Sequence, residues 1–386
     1  MAIGTYELWL DHWNGTRLAY LDSMLSLEYT RVLHGVGVMN LTMPSSFDTS
    51  LLQDDYKIEV WRALPGIPKR LENVYMIRGW RKWTDPVGVD KTLITGVDGN
   101  DILKRRFCLA QNSGEYSGSY DYSRKTGYAG NMLKQYMRDT LLTPYVTGNT
   151  GRATAWAFAY RAIVPYFTIQ GDANDGASFA EQKACETIFD IANGICDRST
   201  GRGSPLYWYV YPVSGAMYQL RTYAPLMGQD LSSQIVISPD FAMGQATHER
   251  DATDEFTMVY VRGKIISNMG RCFGISWNAA RWATNPFCYR ELFVDLGDAE
   301  LAECRERAAE EVPSADNLPQ EYLSCSLYEM EALRYQREWD LGDKVGLNYQ
   351  GLQDNVIIKV IQIQVGETEK VSVVIKREQP LEVEIG

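Results

Sequence analysis

Histidine is scarce in this chain, with three residues among 386: His12, His34 and His248. Metal sites are usually built from histidines and cysteines that lie close together, whereas these three histidines are isolated in the sequence. The run His248-Glu249-Arg250-Asp251 lacks the second histidine of a His-Glu-x-x-His helix, so we interpret it as a solvated loop. No metal ligand is predicted.

Motifs for nucleophilic catalysis and phosphate binding are also lacking. No Gly-x-Ser-x-Gly elbow occurs. Gly201-Arg202-Gly203-Ser204 follows a predicted helix end and is typical of a flexible turn, with a phosphate cradle as the alternative. Gly35-Val36-Gly37 lies between predicted strands, which favours a bulge or bend over dinucleotide binding. We therefore predict no catalytic residue, no cofactor-binding residue and no cofactor.

The cysteines show no pairing pattern. There are seven, an odd number, and no Cys-x-x-Cys motif occurs. This pattern predicts free thiols in a protein that is assembled in a reducing cytoplasm. Helical spacing places Cys185 on a buried helix face, which argues against a redox pair with Cys196.

Targeting and membrane signals are missing as well. The first residues lack a basic region followed by an apolar run, so no signal peptide is predicted. The most apolar window, residues 153–169, is interrupted by Arg161 and Pro165, so we predict no membrane span.

Positive charge is in deficit, with 38 Lys and Arg residues against 49 Asp and Glu residues and a net charge of −11. DNA-binding proteins use Lys and Arg at phosphates, so this balance argues against a protein that grips nucleic acid. It is compatible with a wall that DNA slides past. The basic run Lys104-Arg105-Arg106 is predicted at a helix C-terminus, where the helix dipole favours cations.

Acidic residues are abundant enough to require a test for glycoside hydrolysis, which needs two carboxyl groups facing each other across a sugar. The candidate groups in loops are Asp54-Asp55, Asp172 with Asp175, and Asp251 with Asp254 and Glu255. The sequence does not show that any of them converge. A tail-associated peptidoglycan hydrolase therefore stays an alternative, below a protein without enzymatic activity.

The chain has what a folded, β-rich protein needs. Its hydrophobic content is 45%, with 24 Tyr and 10 Trp residues. Such large amphipathic rings suit β-sheet surfaces and subunit contacts. The length predicts two to four domains.

The first hundred residues predict short antiparallel strands that form a barrel or sandwich. Tyr6, Leu8 and Leu10 alternate with polar neighbours, and Asn14-Gly15 marks a hairpin turn. Further strands are predicted at residues 17–21, 25–33, 35–43, 57–62, 74–83 and 91–97.

The middle of the chain predicts mixed α/β structure. Residues 111–130 are interpreted as an exposed loop, and Thr126 as the cap of a helix that extends to Leu141. A capping box of Ser178 and Glu181 predicts a second helix, ending at residues 193–194. A hairpin at 206–213 and 217–223 and strands at 234–237 and 257–264 follow.

The last hundred residues return to β-structure. We predict strands at 287–296 and 322–327 and, between them, a helix at 299–312 with Asp298 as its cap. Its inward stripe is predicted to be Leu301, Cys304, Ala308 and Val312. Residues 339–376 predict three strands joined by short turns, with a bulge near Lys359, where the inward parity changes.

Three motifs bracket most of the chain. Tyr6-Glu7-Leu8 is followed by Ser-Leu-Glu-Tyr-Thr-Arg at 26–31 and by Gly35-Val36-Gly37. Thr95-Gly96-Val97-Asp98 leads into Ile-Leu-Lys-Arg-Arg at 102–106, and Gly342-Asp343-Lys344-Val345 leads into Val-Ile-Ile-Lys-Val at 356–360. This series resembles phage tail baseplate hub proteins, the tail-tip hubs of long-tailed phages.

The resemblance implies a mainly β protein with an α+β middle region and two tail-tube-like β domains. The predicted domains are 1–106; 107–203 with 227–285; and 204–226 with 286–386. The family's members are trimers, so two β domains per subunit would form a pseudo-six-fold ring that continues the tail tube. The helix at 299–312 would cover the second β domain.

The resemblance also implies partners and a location. We expect a homotrimer in the virion tail tip, assembled in the host cytoplasm, with a distal tail or tube protein above. A fibre, spike or tape measure protein would lie below or inside, and DNA would pass through without specific binding. The other alternative to this structural role is a receptor- or carbohydrate-binding tail-tip module that uses the Tyr- and Trp-rich middle.

Overall fold

The computed structural model describes residues 4–108, 123–142, 163–183, 186–253, 255–266, 270–284, 287, 289–297, 299–312, 320–327 and 333–376. These residues form mainly β-structure, in four sheets, with a mixed α/β region in the middle of the chain. The fold class expected from the sequence is therefore confirmed. No helix within these ranges has the length and apolar character needed to cross a membrane.

The strands, in chain order, are β1 (Thr5–Asp11), β2 (Arg17–Tyr20), β3 (Ser26–Val32), β4 (Val38–Pro44), β5 (Lys57–Ala63), β6 (Arg70–Thr84), β7 (Asp90–Val97), β8 (Ser123–Tyr128), β9 (Phe167–Ile169), β10 (Ser178–Lys183), β11 (Tyr207–Pro212), β12 (Tyr218–Tyr223), β13 (Val236–Ile237), β14 (Met243–Asp251), β15 (Met258–Ile266), β16 (Gly270–Trp277), β17 (Glu291–Asp295), β18 (Gln320–Leu327), β19 (Lys344–Tyr349), β20 (Leu352–Val365) and β21 (Glu369–Lys376). The α-helices are α1 (Asp101–Lys104), α2 (Ala129–Met137), α3 (Ile188–Gly201), α4 (Ala279–Thr284) and α5 (Leu301–Glu311).

The largest sheet joins the two ends of the chain. Its order is β14-β18-β21-β20-β3-β4-β7-β6-β5-β1-β2, and β19, which pairs with β20 and β13, lies off this path. The link is the antiparallel pairing of β20 with β3, from Val360 opposite Val32 to Val365 opposite Leu27. The path is open, so the barrel expected as one form of the terminal domains is not formed within the described residues. The two β regions instead share one sheet.

The alternation read from the sequence accounts for this sheet. Met39, Leu41 and Met43 on β4 are almost fully buried, as their shared phase predicts. The predicted change of parity near Lys359 is confirmed, because the register of β20 against β21 shifts between Ile358 and Val360. One hydrophobic core lies against this sheet and contains side chains from β1, β3 to β7 and β19 to β21.

A second core holds the middle of the chain together. Helices α2 and α3, the sheet β11-β12-β9 and the other face of β6, through Val74 and Met76, contribute to it. Strand β11 lies between the first two cores, because Tyr207 and Tyr209 enter the first and Trp208 and Val210 enter the second. The predicted hairpin is confirmed as β11 and β12, and its further sheet partner is β9.

Both helix starts predicted in the middle region are wrong. Thr126 lies on β8 opposite Ala180, and α2 begins only at Ala129. Ser178 and Glu181 lie on β10, and α3 begins after its N-cap Thr187. Pairing between β8 and β10 outweighs the local capping box. Part of the predicted loop at 111–130 is β8, whereas residues 109–122 and Cys185 lie outside the described ranges.

Helix α3 also continues past its predicted end. Asn193 and Gly194 lie within it, and the helix ends at Gly201. The Asn193 side chain accepts a hydrogen bond at Oδ1 from Trp208 Nε1 over 2.9 Å, which holds the helix onto β11. Gly201 to Ser204 then form the predicted turn. Ile188, Phe189 and Ala192 are buried.

A third, smaller core lies between α5 and the sheet β16-β15-β17. Cys304, Ala308 and Val312 are buried there and Leu301 packs against them, so the predicted stripe is confirmed. The N-cap is Glu300, in a capping box with Glu303. The predicted cap, Asp298, lies outside the described residues. Two of the strands covered by α5, β15 and β16, come from the range predicted as the middle domain.

Strands β14 and β16, like β8, β9 and β10, were not predicted. Residues 248–251, interpreted as a loop, belong to β14, which pairs with β18. Strand β16 has its large apolar side chains on the exposed face, so its pattern did not indicate a core strand.

Candidate functional site

A buried group of charged side chains fastens the N-terminal strands to the C-terminal ones. We call it the ionic joint, and it consists of Arg31, Arg62, Glu72, Asp340 and Glu369. Arg62 Nε donates to Glu369 Oε1 over 2.9 Å, and Arg31 Nη1 donates to Asp340 Oδ1 over 2.9 Å. Glu72, on β6, accepts from Arg31 Nη1 at 3.3 Å. These pairs connect β3, β5 and β6 with the segments before β19 and at the start of β21.

Most charges of the ionic joint are removed from water, although the side chain of Asp340 is 30% exposed. Arg62 is 0% exposed, and the Glu369 side chain is 3% exposed. Burial alone would raise the pKa of Asp340, but the positive charges of Arg31 and Arg70 outweigh it and hold that pKa below its ordinary value. A buried pair of this kind is costly to break, because removing one partner leaves the other charge unpaired in a medium of low polarity.

A pocket of about 440 Å³ opens against the ionic joint, whose Arg31, Glu72 and Asp340 form part of its wall. Three arginines and three carboxylates line it, together with Trp61 and the hairpin residues Tyr211 to Ser214. The basic and acidic side chains pair with one another: Arg17 with Glu59, Arg31 and Arg70 with Asp340 and Glu72. The pocket is therefore electrically balanced by its own lining.

Two carboxyl groups that were not recognised as a pair in the sequence lie close together beside this pocket. Asp11 on β1 and Glu59 on β5 are 1% and 3% exposed. Burial, and then the neighbouring Glu59 carboxylate, raise the pKa of Asp11 to about 6, against the opposing charge of Arg17. A Cβ on Gly215 would lie 2.2 Å from Glu59 Oε1 and 2.3 Å from Asp11 Oδ2, so the hairpin turn fills the space beside both carboxyls.

That geometry does not suit glycoside hydrolysis. The two carboxyls are close enough to share a hydrogen bond. A sugar and its attacking water need carboxyls roughly 5 to 9 Å apart with open space between them. Asp11 and Glu59 instead lie against the hairpin turn, which is held by Lys57, whose Nζ donates to the Ala216 carbonyl over 2.6 Å.

The acid groups singled out in the sequence lie with separate partners. Asp55 accepts from Arg78 and Arg105, and Asp172 accepts from Arg138. Asp175 accepts from Thr222 Oγ1. Asp251 accepts from the backbone of Thr253, Glu255 pairs with Arg281, and Asp254 lies outside the described residues. Asp54 is exposed in a turn, and each of the other described acids is engaged by its own donor.

The three histidines lie in different surroundings. His34 is half-buried, His12 contacts Trp13 and Tyr56, and His248 lies exposed on β14. Within the described ranges, no cluster of three or more His, Cys, Asp or Glu side chains is placed to hold a metal ion.

The second of the three sequence motifs has a defined structural task. It ends β7 and leads into α1, as predicted, with Arg105 at the helix end paired to Asp101 over 2.5 Å. Asn100 Nδ2 donates to the carbonyls of Val32 and Gly35, and its Oδ1 accepts from Val210 N over 2.9 Å. The motif therefore ties the β3–β4 turn to β11.

Comparison of the whole architecture with solved structures gives a consistent result. A tail protein from Neisseria meningitidis MC58 aligns with a TM-score of 0.56 and 11% identity, covering 96% of each chain. The 43 kDa tail protein of prophage MuSo2 from Shewanella oneidensis gives 0.54 and 10% identity, over 97% of this chain and 98% of that one.

The chain has the fold of phage tail proteins. A prophage tail protein from Listeria monocytogenes EGD-e extends the match, with a TM-score of 0.51 and 11% identity over 96% of this chain and 94% of that one. The resemblance indicated by the three motifs is thereby confirmed for the tail-protein fold. The sequence alone matches no family model. It also matches no curated protein.

Proposed function

We propose that the protein is a structural hub of a phage tail: a homotrimer in the tail tip whose β regions form a pseudo-six-fold ring continuous with the tail tube. The observation that carries the proposal is the end-to-end alignment with the tail protein from Neisseria meningitidis, which covers 96% of both chains. An alignment of that extent matches the arrangement of all the elements rather than one module.

The shared sheet suits a load-bearing ring. The N-terminal and C-terminal β regions are linked by continuous backbone pairing between β3 and β20 and by the ionic joint. Such a unit presents both β regions to its neighbours as one rigid body. Its open edges offer unpaired backbone groups that closed cyclic symmetry would pair.

The charge supports passage of DNA without binding. With a net charge of −11, a ring of three copies repels phosphates rather than gripping them. We propose a neutral to acidic lumen, a distal tail or tube protein above the ring, and a fibre, spike or tape measure protein below or inside. Assembly in the host cytoplasm precedes incorporation into the virion.

We propose no enzymatic activity. Apart from the exposed Asp54, the described acids singled out in the sequence are held by separate donors, and Asp11 and Glu59 leave no room for a sugar. Zymography on peptidoglycan tests this, and clearing that is lost in Asp11→Asn or Glu59→Gln would favour the hydrolase instead.

The division into 1–106, 107–203 with 227–285, and 204–226 with 286–386 is also kept as a proposal. Limited proteolysis followed by mass spectrometry tests it. Because β3 pairs with β20, we expect the terminal fragments to stay associated after cleavage until denaturant is added.

Light scattering and negative-stain imaging test the hub itself. We expect about three times the 43.8 kDa chain mass and a ring with a central hole. A monomer at every concentration, or a solid particle without a hole, would contradict the proposal.

A further inference from the structure

The sheet β16-β15-β17 has its small residues inside and its large apolar residues outside. The inner face, under α5, carries Val259, Val261, Gly263, Cys272 and Gly274. On the outer face of β16, Phe273, Ile275 and Trp277 are 44%, 48% and 47% exposed. A solvated sheet face is normally polar, so this sheet is inverted relative to the usual pattern.

The inner face is small because α5 lies directly on the sheet backbone. A Cβ on Gly274 would be 2.1 Å from the Cys304 carbonyl oxygen, and one on Gly263 would be 2.3 Å from the Ala299 carbonyl oxygen. The large apolar residues of the other face are therefore not part of the core under α5. Their burial needs a second surface.

The strand register builds a continuous apolar face, which we call the outer face. Ile275 lies opposite Tyr260, which lies opposite Phe293, and the neighbouring rows begin with Phe273 and Trp277. Phe293 is 55% exposed. At one end the rings of Trp282 and Tyr289 continue the face beyond Trp277. Aromatic side chains, methionine and arginine in this mixture are typical of the centre of protein–protein interfaces.

The charges on the outer face indicate the occupant. Arg262 and Asp295 pair with each other, and Arg271 and Glu291 lie near opposite ends, so the face has no net charge. The whole chain carries −11, and two copies repel each other wherever acidic surfaces meet. Approach through the outer face avoids that cost. It also offers a cation at one end and an anion at the other to a neighbour of the same composition.

We propose that the outer face is a contact surface between copies of this chain. The inference deepens the proposed ring, because it names a surface through which neighbouring subunits hold together. Three strands of this length cover about 350 Å². A standard interface uses roughly 800 Å² per partner, so the outer face forms the apolar centre of a larger contact.

Light scattering of Ile275→Glu, at the concentration where the wild-type chain associates, tests the inference. The side chain lies in the central row and is 48% exposed, so the substitution places a charge at the contact without disturbing the inner core. We expect the mass to fall to that of one 43.8 kDa chain, a three-fold change from a trimer. Val87→Glu, at an 82% exposed position in the β6–β7 turn, is the matched control and keeps the wild-type mass.

A photo-crosslinker placed at Phe273 gives a second readout in the assembled tail, where a product joining two copies supports the inference. A crosslink to a different tail protein, or an Ile275→Glu chain that keeps its full mass, overturns it while leaving the hub intact. A wild-type dimer that Ile275→Glu dissociates supports the contact surface and rejects the three-fold ring. A wild-type chain that is monomeric throughout rejects both.

Discussion

The imidazole of His34 accepts a hydrogen bond at Nε2 from the backbone N–H of Trp208, 3.1 Å away. The two rings also stack, with their planes 10° apart. This contact joins the β3–β4 turn to β11, and it requires the neutral imidazole, because a protonated Nε2 would no longer accept a hydrogen bond.

Acid sensitivity follows from that contact. Burial, and then repulsion from Lys359, lower the pKa of His34 to about 3. The unfolded chain binds this proton near pH 6.5 and the folded chain does not. The free energy of unfolding therefore falls as the pH drops from 6.5 towards 3. Urea unfolding at several pH values should show a shallower loss in His34→Asn than in the wild type.

Asparagine is chosen because His34 has a φ of 61°, in the left-handed region that asparagine tolerates. His248→Asn, at an exposed position, is the control and should keep the wild-type slope. An unchanged slope in His34→Asn would show that other groups cause the acid sensitivity.

The carboxyl of Asp98 should cause the opposite trend, in which the free energy of unfolding falls as the pH rises. Burial raises the pKa of this carboxyl to about 8, although backbone N–H groups oppose the shift. The folded chain then holds a proton that the unfolded chain releases near pH 4, so the free energy of unfolding falls as the pH rises from 4 to 8. Asp98→Asn should gain stability relative to the wild type, by up to about 1.4 kcal/mol per pH unit across that interval. Equal differences at pH 5 and pH 8 would contradict this.

Breaking the ionic joint should be costly. Glu369→Gln leaves the guanidinium of Arg62, which is 0% exposed, without its carboxylate. We expect a loss of about 3 to 5 kcal/mol in urea unfolding. Glu7→Gln breaks the exposed pair with Lys69 and should cost less than about 1 kcal/mol. Similar costs for the two variants would show that the ionic joint does not fasten the sheet.

Sequence patterns predicted individual strands and helices better than they predicted which strands pair with one another. The alternation of apolar and polar residues predicted most strands of the large sheet, and the change of parity predicted the bulge at Lys359. Both patterns depend on residues that are adjacent in the chain. The pairing of β3 with β20 joins residues from opposite ends of the chain, which periodicity does not encode. For the same reason Asp11 and Glu59, on separate strands, were not recognised as a pair. The error at β10 arose because Ser178 and Glu181 satisfy a local capping rule that strand pairing overrides.

Close packing of α5 on its sheet gives a prediction independent of charge. Gly274→Ala would place a Cβ 2.1 Å from a backbone oxygen of α5, so the helix must shift. We expect a loss of about 1 to 3 kcal/mol and faster proteolysis within residues 299–312. Gly366→Ala is the control, because no atom lies within 4 Å of its added Cβ. If the two variants behave alike, the helix does not lie directly on the sheet.

The cysteines give the last prediction. Thiol counting in denaturant, without reductant, should find all seven free. Cys108, Cys196, Cys272, Cys304 and Cys325 are free in the structure, whereas Cys185 and Cys288 lie outside the described residues. Only a count of fewer than seven in untreated protein would contradict this part.

Cys272 and Cys304 nevertheless lie with their sulfur atoms 3.9 Å apart, on β16 and α5. Glutathione disulfide should oxidise this pair, with the two thiols losing two electrons and two protons and the reagent becoming two glutathione thiols. Burial, and then the neighbouring Cys272, raise the pKa of Cys304 to about 12, so the reactive thiolate is scarce and oxidation should be faster at high pH. The wild type should lose two titratable thiols, Cys108→Ser should also lose two, and Cys304→Ser should lose none. Loss of two thiols in Cys304→Ser would show that a different pair reacts, and the α5–β16 contact would then be looser than 3.9 Å implies.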